Sequence, residues 1–171
     1  MFALEDTALC IAYTEKETDY LKSRDKVLGA AIDRIGHVNR EADADLYSSV
    51  VRAIIGQQIS TAAQATITGR LRDTYGEITP EALHAIPAKT LQKIGISFRK
   101  ADYIKAFTEK VVTGAFDLQG LYEKPDAEVI RELSALQGIG VWTAEMLMLF
   151  CMQRPDILSY GDLAILRGMR M

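Results

Sequence analysis

The feature that most constrains this chain is the spacing of its apolar residues. They recur at three- and four-residue intervals, and glycine, proline or a capping residue interrupts them every ten to fifteen positions. That spacing places apolar side chains on one face of a helix. From Thr18, the residues Leu21, Leu28, Ile32 and Ile35 predict one helix, stopped by Gly36. Leu46, Val50 and Ile54 predict a second, opening near Asp45 and ending near Gly56. Ser60 caps a third, with Ala63, Ile67, Leu71 and Tyr75 as its stripe and Gly76 after it. Thr79-Pro80-Glu81 starts a short helix, because threonine caps and proline fits the first position. Lys89–Ile94, Phe98–Val112, Asp126–Leu136 and Val141–Met152 complete the series. No window alternates apolar and polar residues between hairpin signals, so strands are expected to be minor or absent and the class all-α.

Composition narrows the possibilities. The 171 residues are 49% hydrophobic and 25% charged, enough to bury a core without disulfides or metal. Cys10 and Cys151 form no CxxC pair, so neither a zinc site nor a redox dithiol is supported. The longest apolar run, Met146–Met152, is too short for a membrane span. The opening MFALEDTALC carries two acids and no early basic residue, which does not read as a signal peptide; a cytoplasmic location is expected.

Charge is uneven. The net charge of −3 excludes a polycationic coat protein but not a local basic patch. Residues 1–50 hold six Lys/Arg against ten Asp/Glu, whereas residues 89–110 hold six (Lys89, Lys93, Arg99, Lys100, Lys105, Lys110) against Asp102 and Glu109. The basic stretch is either a solvated helix face or a surface for phosphates.

The most specific segment is Leu133-Ser-Ala-Leu-Gln-Gly-Ile-Gly-Val-Trp-Thr-Ala144. Two glycines flank Ile139 between two helices, a turn that admits positive φ and close approach. Ile139 is expected to tuck inward. The next helix would begin with outward N–H groups suited to an anion.

This segment resembles the Leu-x-Gly-Ile/Val-Gly turn and Thr-Ala of the helix–hairpin–helix DNA glycosylases. Three further blocks agree in order: Ile54-Ile-Gly-Gln-Gln-Ile-Ser60, Gly95-Ile-Ser-Phe-Arg-Lys-Ala-Asp-Tyr-Ile104, and Gly161-Asp-Leu-Ala164. The last is typical of the alkylation-repair branch, the DNA-3-methyladenine glycosylases. The resemblance runs from about residue 45 to 168. It implies two helical lobes with a site in the cleft between them, preceded by a helical segment over residues 1–44.

The resemblance also implies roles. Asp162 aligns with the catalytic aspartate, where a fixed carboxylate stabilises positive charge on the deoxyribose as the N-glycosidic bond breaks. On its residues alone, Asp162 equally reads as the cap of a helix starting at Leu163. Trp142 stands where bifunctional relatives carry a Schiff-base lysine, so a monofunctional enzyme leaving an abasic site is implied. Trp142 would wall the base pocket and stack on a cationic methylated purine, with Tyr160 and Met146 as further wall positions; alternatively, Trp142 is core. Gln58 falls where the family plugs the gap left by the flipped nucleotide, with Gln57 beside it; both also read as a polar turn. Ser60 belongs to the same DNA-facing turn. Arg99 and Lys100 are expected to face DNA or to cap a turn. Gly138, Ile139, Gly140, Val141 and Thr143 would grip the DNA backbone through main-chain N–H groups. The resemblance allows a monovalent cation at the 137–141 turn, and no redox cofactor, iron–sulfur cluster or divalent metal. The expected partner is double-stranded DNA with alkylated bases, bound by a monomer. A DNA-binding module without glycosylase activity is the alternative.

Two departures stand out. Ser159-Tyr160 replaces the more usual apolar or proline-bearing pair before the aspartate. Family members normally continue for several helices beyond this point, so the chain is expected to lack them.

Overall fold

The computed structural model describes residues 9–43 and 45–170. Residues 1–8, which include most of the segment read as lacking a signal peptide, lie outside that range, as do positions 44 and 171. The chain divides into two compact units, residues 1–44 and 45–171. As the spacing predicts, the protein is all-α: among the described residues the only β pairing is an isolated bridge between Cys10 and Glu41.

The first unit holds α1 (Glu15–Arg24) and α2 (Lys26–Ile35) packed on each other. The single helix expected from Thr18 to Ile35 is therefore two. The break is at Asp25, whose backbone is extended (φ −142°, ψ 113°). Its carboxylate accepts the Val27 and Leu28 amides at 2.8 and 3.0 Å. An aspartate so placed competes with the helix for its own backbone and restarts it as an N-cap.

In the second unit, α3 (Leu46–Gly56) and α4 (Thr61–Tyr75) begin at Asp45 and Ser60, as expected. α5 (Pro80–Ala85) is capped by Thr79, and α6 (Ala88–Leu91) runs into a 3₁₀ turn, Gln92–Ile94. The basic helix is α7 (Phe98–Val112), capped by Ser97. A 3₁₀ turn at Gly120–Glu123, not foreseen in the sequence, leads to α8 (Asp126–Ser134). α9 (Val141–Phe150) stops two residues earlier than the apolar run suggests, and α10 (Leu163–Gly168) is short. Among the described residues no helix is long and apolar enough to cross a membrane.

The core is centred on α3. Val50, Val51, Ile54 and Ile55 are all fully buried, so this helix is covered on more than one face. Helices α4, α7 and α9 pack on it. Tyr47 of α3 shares a hydrogen bond with Thr108 of α7 at 2.7 Å, and burial pushes its phenol up to about 12. The α8–α9 pair forms a hairpin around Leu133, Leu136, Ile139 and Leu147, all buried. By contrast, α10 contains no buried residue.

Candidate active site and nucleic-acid interface

Three sequence blocks far apart in the chain meet at the α8–α9 turn. Gly138 has φ 85°, and a Cβ placed on it would lie 2.5 Å from Cδ2 of Tyr103 in α7. Only glycine fits, both for the backbone angle and for the ring pressed against it. The Gln57 side-chain amide donates to the Gly138 carbonyl. The Lys100 ammonium donates to the carbonyls of Ile55 and Gln57 at 2.8 and 2.6 Å, closing the C-terminal end of α3. Burial first, and Arg99 second, hold this ammonium below the usual lysine value. The hairpin, the α3–α4 turn and the start of α7 are thus tied into one unit.

This arrangement separates the residues expected to face DNA into two groups. Gln57 and Lys100 turn their side chains inward and bond within the protein, so of the two roles expected for Lys100 it caps a turn. Ile139 is buried and its N–H donates to the Leu136 carbonyl at 3.1 Å, so neither its side chain nor its amide is on offer. The Ser60 hydroxyl caps α4 by accepting the Ala63 amide at 3.2 Å. Facing outward are Gln58, at φ 57° on an exposed turn, and exposed Arg99.

Gly140 does not take positive φ. It is the N-cap of α9, with φ −95° and ψ 172°, and as a glycine it supplies no side-chain cap. The Gly140 carbonyl accepts the Ala144 amide at 3.0 Å, which starts the helix. By helix geometry the N–H groups of Val141, Trp142 and Thr143 have no partner within α9. Val141 and Trp142 are about half exposed there and Thr143 partly so. The Gly138 carbonyl accepts the Gln57 amide, and the Leu136 carbonyl accepts the Ile139 N–H.

The Asp162 carboxylate stands beside the first turn of α9. Its Oδ2 accepts the Trp142 indole Nε1–H at 2.8 Å. Its Oδ1 accepts the Ala164 and Ile165 amides at 2.7 and 3.2 Å, so Asp162 is also the N-cap of α10. The Trp142 bond, then the Ile165 and Ala164 amides, hold this carboxyl below the usual aspartate value. Capping and proximity to Trp142 coexist in one carboxylate. Trp142 is 50% exposed, so it is not a core residue, while Tyr160 is 75% exposed and Met146, one turn along α9, is partly buried.

Two anchors near this carboxylate left no signal in the sequence. Ser159, nearly fully buried, donates its hydroxyl to Glu145 of α9. Arg154 donates to Asp126 and to the carbonyls of Leu121, Tyr122 and Lys124, clamping the end of α9 to the start of α8. Each partner lies far off in sequence, so spacing cannot show the pairing.

The profile of the HhH-GPD superfamily of base excision DNA repair proteins matches residues 51–171. The chain belongs to this superfamily. A DNA-3-methyladenine glycosidase from Bacillus halodurans has a crystal structure that superposes with a TM-score of 0.78 at 32% identity, covering 95% of this chain and 75% of that one. A 3-methyladenine DNA glycosylase from Schizosaccharomyces pombe, solved in complex with abasic DNA, gives a TM-score of 0.78 at 26% identity, covering 91% and 79%. Among curated proteins, DNA-3-methyladenine glycosylase 1 of S. pombe is 31% identical over 128 residues, 72% of this chain and 56% of that protein. DNA-3-methyladenine glycosylase 2 of Escherichia coli is 25% identical over 173 residues, 92% of this chain and 60% of that protein. The chain spans about half the length of the first curated relatives it matches. The HhH-GPD match covers the Gly138 junction and Asp162 alike, and it leaves out the first unit.

Proposed function

We propose that this protein is a monofunctional DNA glycosylase that removes alkylated purines of the 3-methyladenine and 7-methylguanine type and leaves an abasic site. The observation that carries the reading is the pairing of Asp162 with Trp142 on the first turn of α9, with a tryptophan where a Schiff-base enzyme needs an amine. The names of the relatives, DNA-3-methyladenine glycosylases, support this substrate class.

The chemistry follows from the carboxylate. When the bond between deoxyribose C1′ and the purine nitrogen breaks, the base leaves with the electron pair and C1′ becomes cationic. Water then adds to C1′ and loses its proton. Asp162, kept ionised by three hydrogen bonds, supplies a fixed negative charge for that cation. Its oxygens are already engaged and its basicity lowered, so electrostatic stabilisation suits it better than proton abstraction. An alkylated purine carries positive charge and is already a good leaving group, so a carboxylate without a strong general acid suffices. The open amides of Val141, Trp142 and Thr143 suit a DNA phosphate. Gln58, exposed on its turn, suits the gap left when a nucleotide swings out.

A second reading, a duplex-binding module without base removal, is favoured by the openness of the site: Tyr160 and Leu163 are 75% and 65% exposed. One experiment separates the two. Incubation with methylated duplex DNA releases 3-methyladenine or 7-methylguanine under the first reading and only retains the duplex under the second. Borohydride in the same reaction should trap no protein–DNA adduct; a trapped adduct contradicts the monofunctional assignment.

A further inference from the structure

We infer that Trp142 is a positioning residue whose indole N–H fixes the Asp162 carboxylate relative to the α8–α9 hairpin. The inference rests on the reading of Asp162 as the charged group at the reacting sugar, and it gives Trp142 a task other than walling a base.

No residue of α10 is fully buried; only Ile165 and Leu166 are partly so, and packing alone holds it weakly. Its leading segment is fastened to α9 by side-chain bonds: Ser159 to Glu145, and Asp162 to Trp142. Trp142 and Glu145 are three residues apart on α9, hence on one face. The Ser159 bond anchors the loop three residues before the carboxylate but does not orient the carboxylate itself. The two amides on Oδ1 belong to α10 and move with Asp162. Among the described residues, only the indole bond ties the carboxylate to an element outside its own segment.

A half-exposed indole could satisfy its N–H with water, so stacking alone would not require this 2.8 Å alignment. Trp142 also contributes one of the unpartnered main-chain N–H groups of α9. The residue whose backbone would meet a phosphate therefore holds the carboxylate by its side chain, and the register between phosphate and carboxylate runs through a single side chain.

Hydrogen bonds to the ionised form lower its pKa, so the sign of the effect is fixed. Removing the indole donor must raise the pKa of Asp162. The other ionisable groups on the surrounding elements are Glu145 of α9, Cys151, Arg154, Asp156 and Tyr160 between α9 and α10, and Arg167 and Arg170 in and after α10; Arg154 pairs with Asp126. Among the described residues none forms an ion pair with Asp162.

The chain has one tryptophan, so the test reads one indole resonance. In ¹⁵N-labelled full-length protein, the indole N–H peak should shift with an acid midpoint below the ordinary aspartate value. The shift should vanish in Asp162→Asn. In Trp142→Phe, which keeps an aromatic ring, the ¹³C-carboxyl titration of Asp162 should move to higher pH. An indole peak indifferent to Asp162, or an unmoved carboxyl midpoint in Trp142→Phe, overturns the inference. Neither measurement uses activity. Where base release is present, Trp142→Phe should lower its single-turnover rate ~10-fold, the size of one hydrogen bond to a charged group. The acid limb of the rate profile should also move up. Loss of release in Asp162→Asn tests the function itself, so failure of the function and failure of the positioning role remain distinguishable.

Discussion

Two parts of the second unit are built in opposite ways. The junction around Gly138 is a half-buried knot, in which Tyr103 presses on the glycine, Gln57 bonds its carbonyl and Lys100 closes the adjoining helix end. The segment from Gln153 to Arg170 is a largely exposed strap, with Ser159 buried and Ile157 packed on the core. It has left-handed backbone at Gln153 and Asp156, a six-residue helix with no buried side chain, and the carboxylate that would do the chemistry. The knot fixes where a backbone N–H cluster sits. The strap presents a charge and is itself located by a few polar bonds. A strained, open position suits a group that must approach a substrate, and a rigid base lets a loosely packed segment still be aimed.

If this contrast is right, substitutions in the two parts should differ sharply. Gly138→Val should have the largest effect, a loss of roughly 3 kcal/mol from positive φ and the collision with Tyr103. Gly161→Ala, with nothing within 4 Å of the added methyl, should cost less than about 0.5 kcal/mol. Denaturant titration of the two variants measures the gap, and equal losses would break the comparison. Lys100→Met should come next, at about 1–2 kcal/mol, because it leaves the Ile55 and Gln57 carbonyls without their donor. Gln57→Ala should cost about 1 kcal/mol for the same reason at Gly138. The smallest change in stability should come from its neighbour: Gln58→Ala should stay within about 0.5 kcal/mol yet weaken base release, since its exposed side chain holds nothing in the fold. Amide exchange supplies a check without mutation. The α10 amides should exchange well before those of α3, most of whose residues are buried.

What could be read from the sequence follows the reach of each interaction. Caps act over two or three residues, so Asp45, Ser60 and Thr79 mark their helices in the sequence itself. Asp25 is the same signal set inside an apolar stripe, and there the stripe hid it. Gly138 was legible as a glycine that must stay glycine. Its reason, the Tyr103 ring, was not, because that contact joins α7 to the hairpin. By resemblance Gln57 and Lys100 read as groups for DNA, and by their residues as groups of a turn; only the fold shows the carbonyls they serve. The Asp162 carboxylate was legible by resemblance and as a cap; its bond to Trp142 spans twenty residues of sequence and was not.

The central claim is that the Asp162 carboxylate supplies the charge for breaking an N-glycosidic bond. The direct measurement is single-turnover release of 3-methyladenine from methylated duplex by the wild-type chain and by Asp162→Asn, with duplex binding followed in the same samples. The account predicts release by the wild type, a fall of about 100-fold or more in the variant, and unchanged binding by both. Equal release by the two proteins would contradict it.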